Sequence, residues 1–292
     1  MKQQIKEDKD VFMLKHLPGM VLILITVACS DKSSVEATQQ AVKPATITAT
    51  QVQDMVYIGA GEFIMGTDEV DASGKSEEFG FNEPLYLPEQ PRRRVNLKAY
   101  YIDKYEVSNA DFKAFLRADG RFNPAQLQTI YERLHMKSDL APVRIVTWQV
   151  ANDYCRFLGK RLPTEAEWEK AARGPDGREY PWGDEWKPDY LNAGQGEQDL
   201  TAVGSFELGK SYYGVYDMAG NVMEWTADWY EAYPGAQYQS PNYGRKHKVV
   251  RGGGWGGIGH YVIPHYFRTA YRYNFDPSKA YNDVGFRCVK DT

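Results

Sequence analysis

Cysteine is scarce in this sequence: Cys29, Cys155 and Cys288 are the only three in 292 residues. Thiols so far apart supply no local thiolate cluster, which excludes a soft-metal centre built from one stretch of chain. Positive charge is not in excess either. With 35 Lys and Arg against 39 Asp and Glu, the net charge is −4. That argues against a nucleic-acid surface, and the one basic run, Arg92-Arg93-Arg94, is too short to change it. No internal repeat is evident. The apolar run MVLILITVA, from Met20 to Ala28, is too short to cross a membrane as an ordinary helix. What the chain has in quantity is aromatic rings, 21 Tyr, 12 Phe and 7 Trp, within an apolar share of 42%. Such a share supports a sizeable core and argues against global disorder. Rings with polar tips suit a loop-rich domain packed around many short elements, and the glycines crowded into 252–259 predict tight turns there.

The apolar run comes after Lys15 and His16 and ends at Cys29, the layout of a secretory signal segment. Ala28 before Cys29 resembles a bacterial lipobox, whose cysteine is acylated and becomes the mature N-terminus, although Thr26 stands where Leu is usual. An uncleaved N-terminal anchor is the alternative, and both readings place the rest of the chain outside the cytoplasm. The polar stretch before the run is long for a signal peptide, so Met13 is a second candidate start. Ser30 resembles the residue found after the cysteine in lipoproteins sorted to an outer membrane. The expected organisation is a lipoprotein-type signal segment over 1–29, a flexible tether rich in Ser, Thr, Ala and Gln over 30–51, and one domain over 52–292. Its expected place is the bacterial cell envelope, lipid-anchored, at an outer membrane or facing the periplasm.

Within the domain, Met55 to Ile58 and Glu62 to Gly66 read as short strands around a Gly-Ala-Gly turn, and Val95 to Ile102 alternates enough for another. Residues 67–91, acidic and proline-rich, read as a long surface loop. Three helices have readable starts. Ser108 caps the first, with Asp111 in its first turn, Val107 packing on Phe112 and Gly120 at its end. Thr147 caps the second, whose Val150, Ala151, Tyr154 and Leu158 share a face. Thr164 and Glu167 form a capping box for the third, which Gly174 terminates. Beyond Gly174 no ten-residue segment keeps a helical period. The expected class is α+β, with few helices, small antiparallel sheets and much irregular backbone.

Seven motifs occur in a fixed order: GEFIMG (61–66), YYIDKYEVSNADFKAFL (100–116), PVRIVTWQVANDYCRFLGKRLPTEAEWEKAARG (142–174), YPWGDEW (180–186), YGVYDMAGNVMEWTADWY (213–230), VVRGGGW (249–255) and RTAYRYNFDPSKAYNDVGFRC (268–288). Together they resemble the formylglycine-generating enzyme, or sulfatase-modifying factor, family across almost the whole mature chain. The resemblance implies a variant of the C-type lectin fold. It also implies an oxidase reaction in which two cysteines bind copper(I) and a substrate cysteine becomes formylglycine, a task for which soft sulfur is suited. Those cysteines belong shortly after the GG-[SG]-[WY] turn. Here that stretch reads GGGWGGIGHYVIPHYFRTAYR (252–272), with Gly256, Gly257 and Pro264 in or near the relevant places and no cysteine at all. Gly254 stands where Ser is usual, and Met223 replaces the Trp often found in GN-x-x-EW. Copper binding and formylglycine formation are therefore not expected.

Other implied features are retained. Family members carry a disulfide at the positions of Cys155 and Cys288, and two leftover cysteines in an oxidising compartment usually pair. A bridge closing so long a loop stabilises by about 4 kcal/mol in the chain-entropy model. Ala172 and Thr269 replace both ends of a second family disulfide. Calcium ligands map onto Asp217, Gly220, Val222 and Glu224, two carboxylates bracketing a glycine turn with backbone carbonyls between, a donor set that suits a hard cation. Asn192 and Ala193 begin a weaker second match. The alternative is that Asp217 and Glu224 only bind backbone amides. Glu165, Glu167 and Trp168 read as scaffold, and Arg268, Arg272, Asp276 and Arg287 as ion-pair ties. His260 and His265 could be metal ligands, but their spacing fits no metal motif and an exposed pair is the plainer reading.

The leading functional expectation is a binding or accessory module for a protein or small-molecule ligand. Its candidate contacts are Trp255, His260, Tyr261, His265 and Tyr266, in an aromatic patch with Ile258, Val262, Ile263 and Phe267. The alternative for that patch is burial in the core. A second reading is a divergent oxidoreductase, since some periplasmic members without the copper cysteines act in siderophore maturation; a buried Glu, Asp or His cluster at a pocket would favour it. A third is a retroelement-diversified ligand-binding protein varying over 256–267.

Overall fold

The computed structural model describes residues 55–80, 82–194, 200–255 and 263–292; the expected signal segment, Cys29 and the expected tether lie outside them. Strand β1 (Met55–Ile58) and β2 (Gly61–Met65) flank the glycine turn. A short helix, α1 (Lys75–Glu78), and a 3-10 turn at Leu87–Glu89 interrupt the acidic loop. The stretch expected as one strand is two, β3 (Arg93–Leu97) and β4 (Tyr100–Asp103), and they join different sheets. Among the described residues β3 pairs with β2 alone, whereas β4 lies between β1 and β9 (Val289–Asp291).

The helices follow their caps. In α2 (Asn109–Asp119) the Ser108 hydroxyl accepts from the Asp111 amide at 3.2 Å, and Gly120 closes the helix at φ 71°. α3 (Pro124–Arg133) was not expected. Asn123 and Gln126 cap each other and Pro124 opens the first turn; because Ile130 is its only buried residue, no apolar stripe announces it. α4 (Trp148–Phe157) starts at Thr147 and leaves Leu158 half-buried at its end. α5 (Glu165–Arg173) has the reciprocal Thr164–Glu167 box and stops at Gly174. Beyond it, the described residues hold only 3-10 turns as helix.

The last sheet has the order β7 (Tyr273–Phe275), β6 (Lys248–Arg251), β5 (Met223–Trp229), β8 (Val284–Gly285). Its β5–β8 pair is parallel, and its other two pairs are antiparallel. The inner face of the β1–β4–β9 sheet, Ile58, Tyr100, Ile102 and Val289, packs on Trp168, Ala171 and Ala172 of α5 and on Met218. Phe112 of α2 and Tyr154 of α4 meet Phe286 ring to ring at 6.4 and 5.3 Å, and Phe115 packs edge-on against Tyr154 at 5.3 Å. Each such fully buried side chain contributes roughly 1.5–3 kcal/mol. This packing brings α5, β5 and the GFRC segment together, and Cys155 of α4 is joined to Cys288 by a disulfide with Cα atoms 5.7 Å apart. Among the described residues no helix is long and apolar enough to cross a membrane.

Candidate functional site

The loop entering β5 carries three residues in the left-handed region, Asp217 at φ 55°, Gly220 at 83° and Asn221 at 60°. Gly220 has no alternative, since a Cβ there would come within 2.5 Å of the Asn192 carbonyl. Glu224, wholly buried at the start of β5, receives Arg287 on both oxygens, at 2.6 and 2.7 Å, and the Trp168 indole at 2.9 Å. Asp217 accepts from the Gly204 amide at 2.6 Å. A third buried carboxylate, Glu106, accepts from the Val222 amide at 3.0 Å and the Asn221 side-chain amide at 2.7 Å. Glu106 was not among the expected site residues. Its sequence signal is slight, an acid two positions before the Ser108 cap. The second expected pair lies against the same loop: Asn192 and Ala193 are buried, and the Asn192 carbonyl accepts from the Asn221 amide at 2.8 Å.

Three carboxylates here face one guanidinium. Burial pushes the Asp217 carboxyl up to about 6, against the opposing effects of the Gly204 amide and Arg287. Burial, then repulsion from Asp217 and Glu224, pushes Glu106 well above the usual carboxylate range. Oxygen donors and three buried carboxylates around one guanidinium fit a hard divalent cation such as calcium. Among the described residues no three Asp, Glu, His or Cys side chains are grouped to hold a metal. The ligands that the resemblance assigns to a cation are Asp217 and Glu224 with the Gly220 and Val222 carbonyls, and a cation there would supply charge balance to the loop rather than reactivity.

The segment where this chain departs from the pattern follows β6. His260 and Tyr261, with Ile258 and Val262, fall outside the described residues. Ile263, His265, Tyr266 and Phe267 are buried, which corrects the expected surface patch at these positions and the expected exposure of His265: Ile263, Tyr266 and Phe267 join a cluster with Tyr180 and Ala219. Trp255 is half-buried, its amide donating to the Asn221 carbonyl at 2.9 Å, with the Arg144 guanidinium 5.5 Å from its ring. Gly254 sits against Asp283, whose Cβ would lie 3.2 Å from any Cβ added at 254.

The loop expected on the surface supplies a buried acid to this segment. Glu89, 1% exposed, is gripped by both terminal nitrogens of Arg268, and Tyr86 lies over that guanidinium at 4.4 Å. His265 Nδ1 is 3.1 Å from Arg268 Nη1. A guanidinium only donates, so Nδ1 accepts and the ring proton sits on Nε2, which is 3.6 Å from Glu89. Burial and the Arg268 charge lower the His265 pKa to about 3 and keep the ring neutral. Burial, opposed by Arg268, raises Glu89 to about 7. The other expected ties are present: Arg272 pairs with Glu165, Arg287 with Glu224, and Asp276 with Lys279 at 3.8 Å. Of the replaced disulfide ends, Ala172 packs into the core and the Thr269 hydroxyl donates to the Arg178 carbonyl at 2.9 Å.

Comparison with known proteins bears on the family and the fold. Residues 39–292 match the model of the sulfatase-modifying factor enzyme 1-like domain. The chain is 31% identical to the formylglycine-generating enzyme of Bos taurus, over 81% of this chain and 74% of that protein. It is also 31% identical to the inactive C-alpha-formylglycine-generating enzyme 2 of the same organism, over 82% and 88%. PvdO from Pseudomonas aeruginosa superposes with a TM-score of 0.62 at 26% identity, over 86% of this chain and all of that one. The fold is the expected α+β, C-type-lectin-like one, and the chain belongs to the family of sulfatase-modifying factor enzyme 1-like domains.

Proposed function

We propose that this chain is a calcium-stabilised binding or accessory member of its family, lipid-anchored through Cys29 in the cell envelope, and not a cysteine-to-formylglycine oxidase. One observation carries the reading. The two cysteines of the domain are bonded to each other, at 155 and 288, while residues 252–268 contain none. No thiolate is left to hold copper(I). Membership of the family does not by itself bring the activity, since one matched relative is named an inactive enzyme.

The test is to incubate the purified domain with copper, oxygen and a cysteine-bearing sulfatase peptide and weigh the peptide by mass spectrometry. The expected result is unchanged peptide, alongside stoichiometric calcium and no copper or iron in the protein. A formylglycine product, or copper or iron bound at one per chain, would overturn the reading.

A divergent oxidoreductase has one observation in its favour. Glu89 and His265 are buried together in the segment that replaces the copper cysteines, and an acid titrating at about 7 suits proton transfer. Against it, Glu89 and His265 both already bond Arg268, which suits a structural tie better than a free acid or base.

A further inference from the structure

We propose that Glu106 is the positioning residue of the 217–224 loop: it does not bind the cation but holds the backbone in the shape that can. This rests on the calcium reading above and names a residue that the ligand pattern omits. The loop needs outside support, because Asp217 and Asn221 hold positive φ angles, 55° and 60°, that side-chain-bearing residues adopt only at some energetic cost. Glu106 meets that need from a distant part of the chain. One oxygen takes the Val222 amide at 3.0 Å and the other the Asn221 side-chain amide at 2.7 Å. These two donors bracket the peptide that turns the chain from Gly220 into β5.

The carboxylate is itself firmly placed. The Val107 amide donates to Phe286 at 3.0 Å and the Val107 carbonyl accepts from Val143 at 2.8 Å, so the backbone beside Glu106 is fixed on both sides. The side chain is 2% exposed, and its oxygens are engaged by N–H donors rather than directed into open space. That is the disposition of a group orienting its neighbours, as the partners behind metal-binding residues do. Without it, the Val222 amide would be left buried and unpaired, and the Asn221 side chain would keep only its bonds to Thr201. The Gly220 and Val222 carbonyls would then no longer be held in one orientation.

The experiment measures calcium affinity by titration calorimetry, and melting temperature in chelator and in saturating calcium. Its subjects are the wild-type domain, Glu106→Gln, Glu106→Ala and, as a control, Asn123→Ala, which removes the cap of the surface helix α3. The expected result is calcium affinity weakened about tenfold or more in both Glu106 variants, with a smaller calcium-induced rise in melting temperature. Asn123→Ala should lower the melting temperature while keeping wild-type affinity. Glu106→Gln retains the shape and one acceptor, so it remains informative if the alanine variant does not fold. Wild-type affinity in the Glu106 variants would overturn the positioning role and leave the calcium reading standing. Failure of the wild-type domain to bind calcium would overturn both.

Discussion

Two ionic centres are buried back to back in this domain, and they differ in charge count. Glu224 of β5 and Arg251 of β6 are partners in register across the strand pair, yet each finds its counter-charge elsewhere. On one side Arg251 bonds Glu165 at 3.0 Å and Glu169 at 2.6 Å, Arg272 adds two bonds to Glu165, and Arg173 adds one to Glu169. Three guanidiniums there serve two carboxylates. On the other side a single guanidinium, Arg287, serves Glu224 with Asp217 and Glu106 close by. Burial acts on both sides alike, but the outcome has opposite sign. Burial pushes the Glu165 carboxyl up, and Arg272 and Arg251 more than offset it, so its pKa is lowered. Asp217 and Glu106 are raised. The first centre is a self-contained clamp; the second is short of positive charge.

The largest effects should come from removing the central arginine of each. Arg251→Met and Arg287→Met each strand buried carboxylates and should cost about 3–5 kcal/mol in denaturant unfolding. The contrast lies in the rescue. Saturating calcium should restore part of the loss in Arg287→Met and none in Arg251→Met. Equal rescue of both, or of neither, would show that the two centres do not differ as their charges indicate. The disulfide comes next. Replacing Cys155 and Cys288 with Ser opens a loop spanning 133 residues and should cost about 4 kcal/mol. Because Cys288 directly follows Arg287, the same variant should also show a smaller calcium-induced stabilisation, read from melting curves with and without chelator.

How much of this was legible depended on whether a signal was local. Ser108, Thr147 and the Thr164–Glu167 box mark helix starts because a cap acts within three residues of itself. The Asn123–Gln126 box is equally local, but α3 buries little and so lacks the apolar period that would have drawn attention to it. Asp217 to Glu224 could be read as one motif because its members are contiguous. Glu106 acts across 115 and 116 residues and Glu89 across 179, and nothing in their neighbours distinguishes either from a surface acid. The same limit explains the misplaced aromatic patch. Composition shows that 263–267 is rich in rings, whereas burial depends on Tyr180, Trp186 and the other rings that meet them.

A smaller effect tests the clamp side by pH. The folded-state pKa of Glu89 is raised from 4.5 to about 7, so the folded protein holds that proton more tightly than the unfolded chain. The corresponding stability is present below pH 4.5 and is lost as pH rises through about 7. Melting temperature should therefore carry a falling component over that window, and Glu89→Gln, which cannot titrate, should flatten it. A slope unchanged in the variant would mean that Arg268 holds Glu89 ionised throughout.

The smallest effect concerns Gly254, where the family pattern has Ser. Its φ lies outside the left-handed region, so the backbone would accept a side chain; the obstacle is Asp283, whose Cβ would be 3.2 Å and whose carbonyl and Oδ2 3.4 Å from the new Cβ. Asp283 is 3% exposed, and moving it by a few tenths of an ångström should cost about 1 kcal/mol. Gly254→Ser should thus melt slightly below wild type and, with no thiolate nearby, still leave a cysteine peptide unchanged in mass. Appearance of formylglycine in that variant alone would tie the proposed lack of oxidase activity to this one side chain rather than to the cysteines.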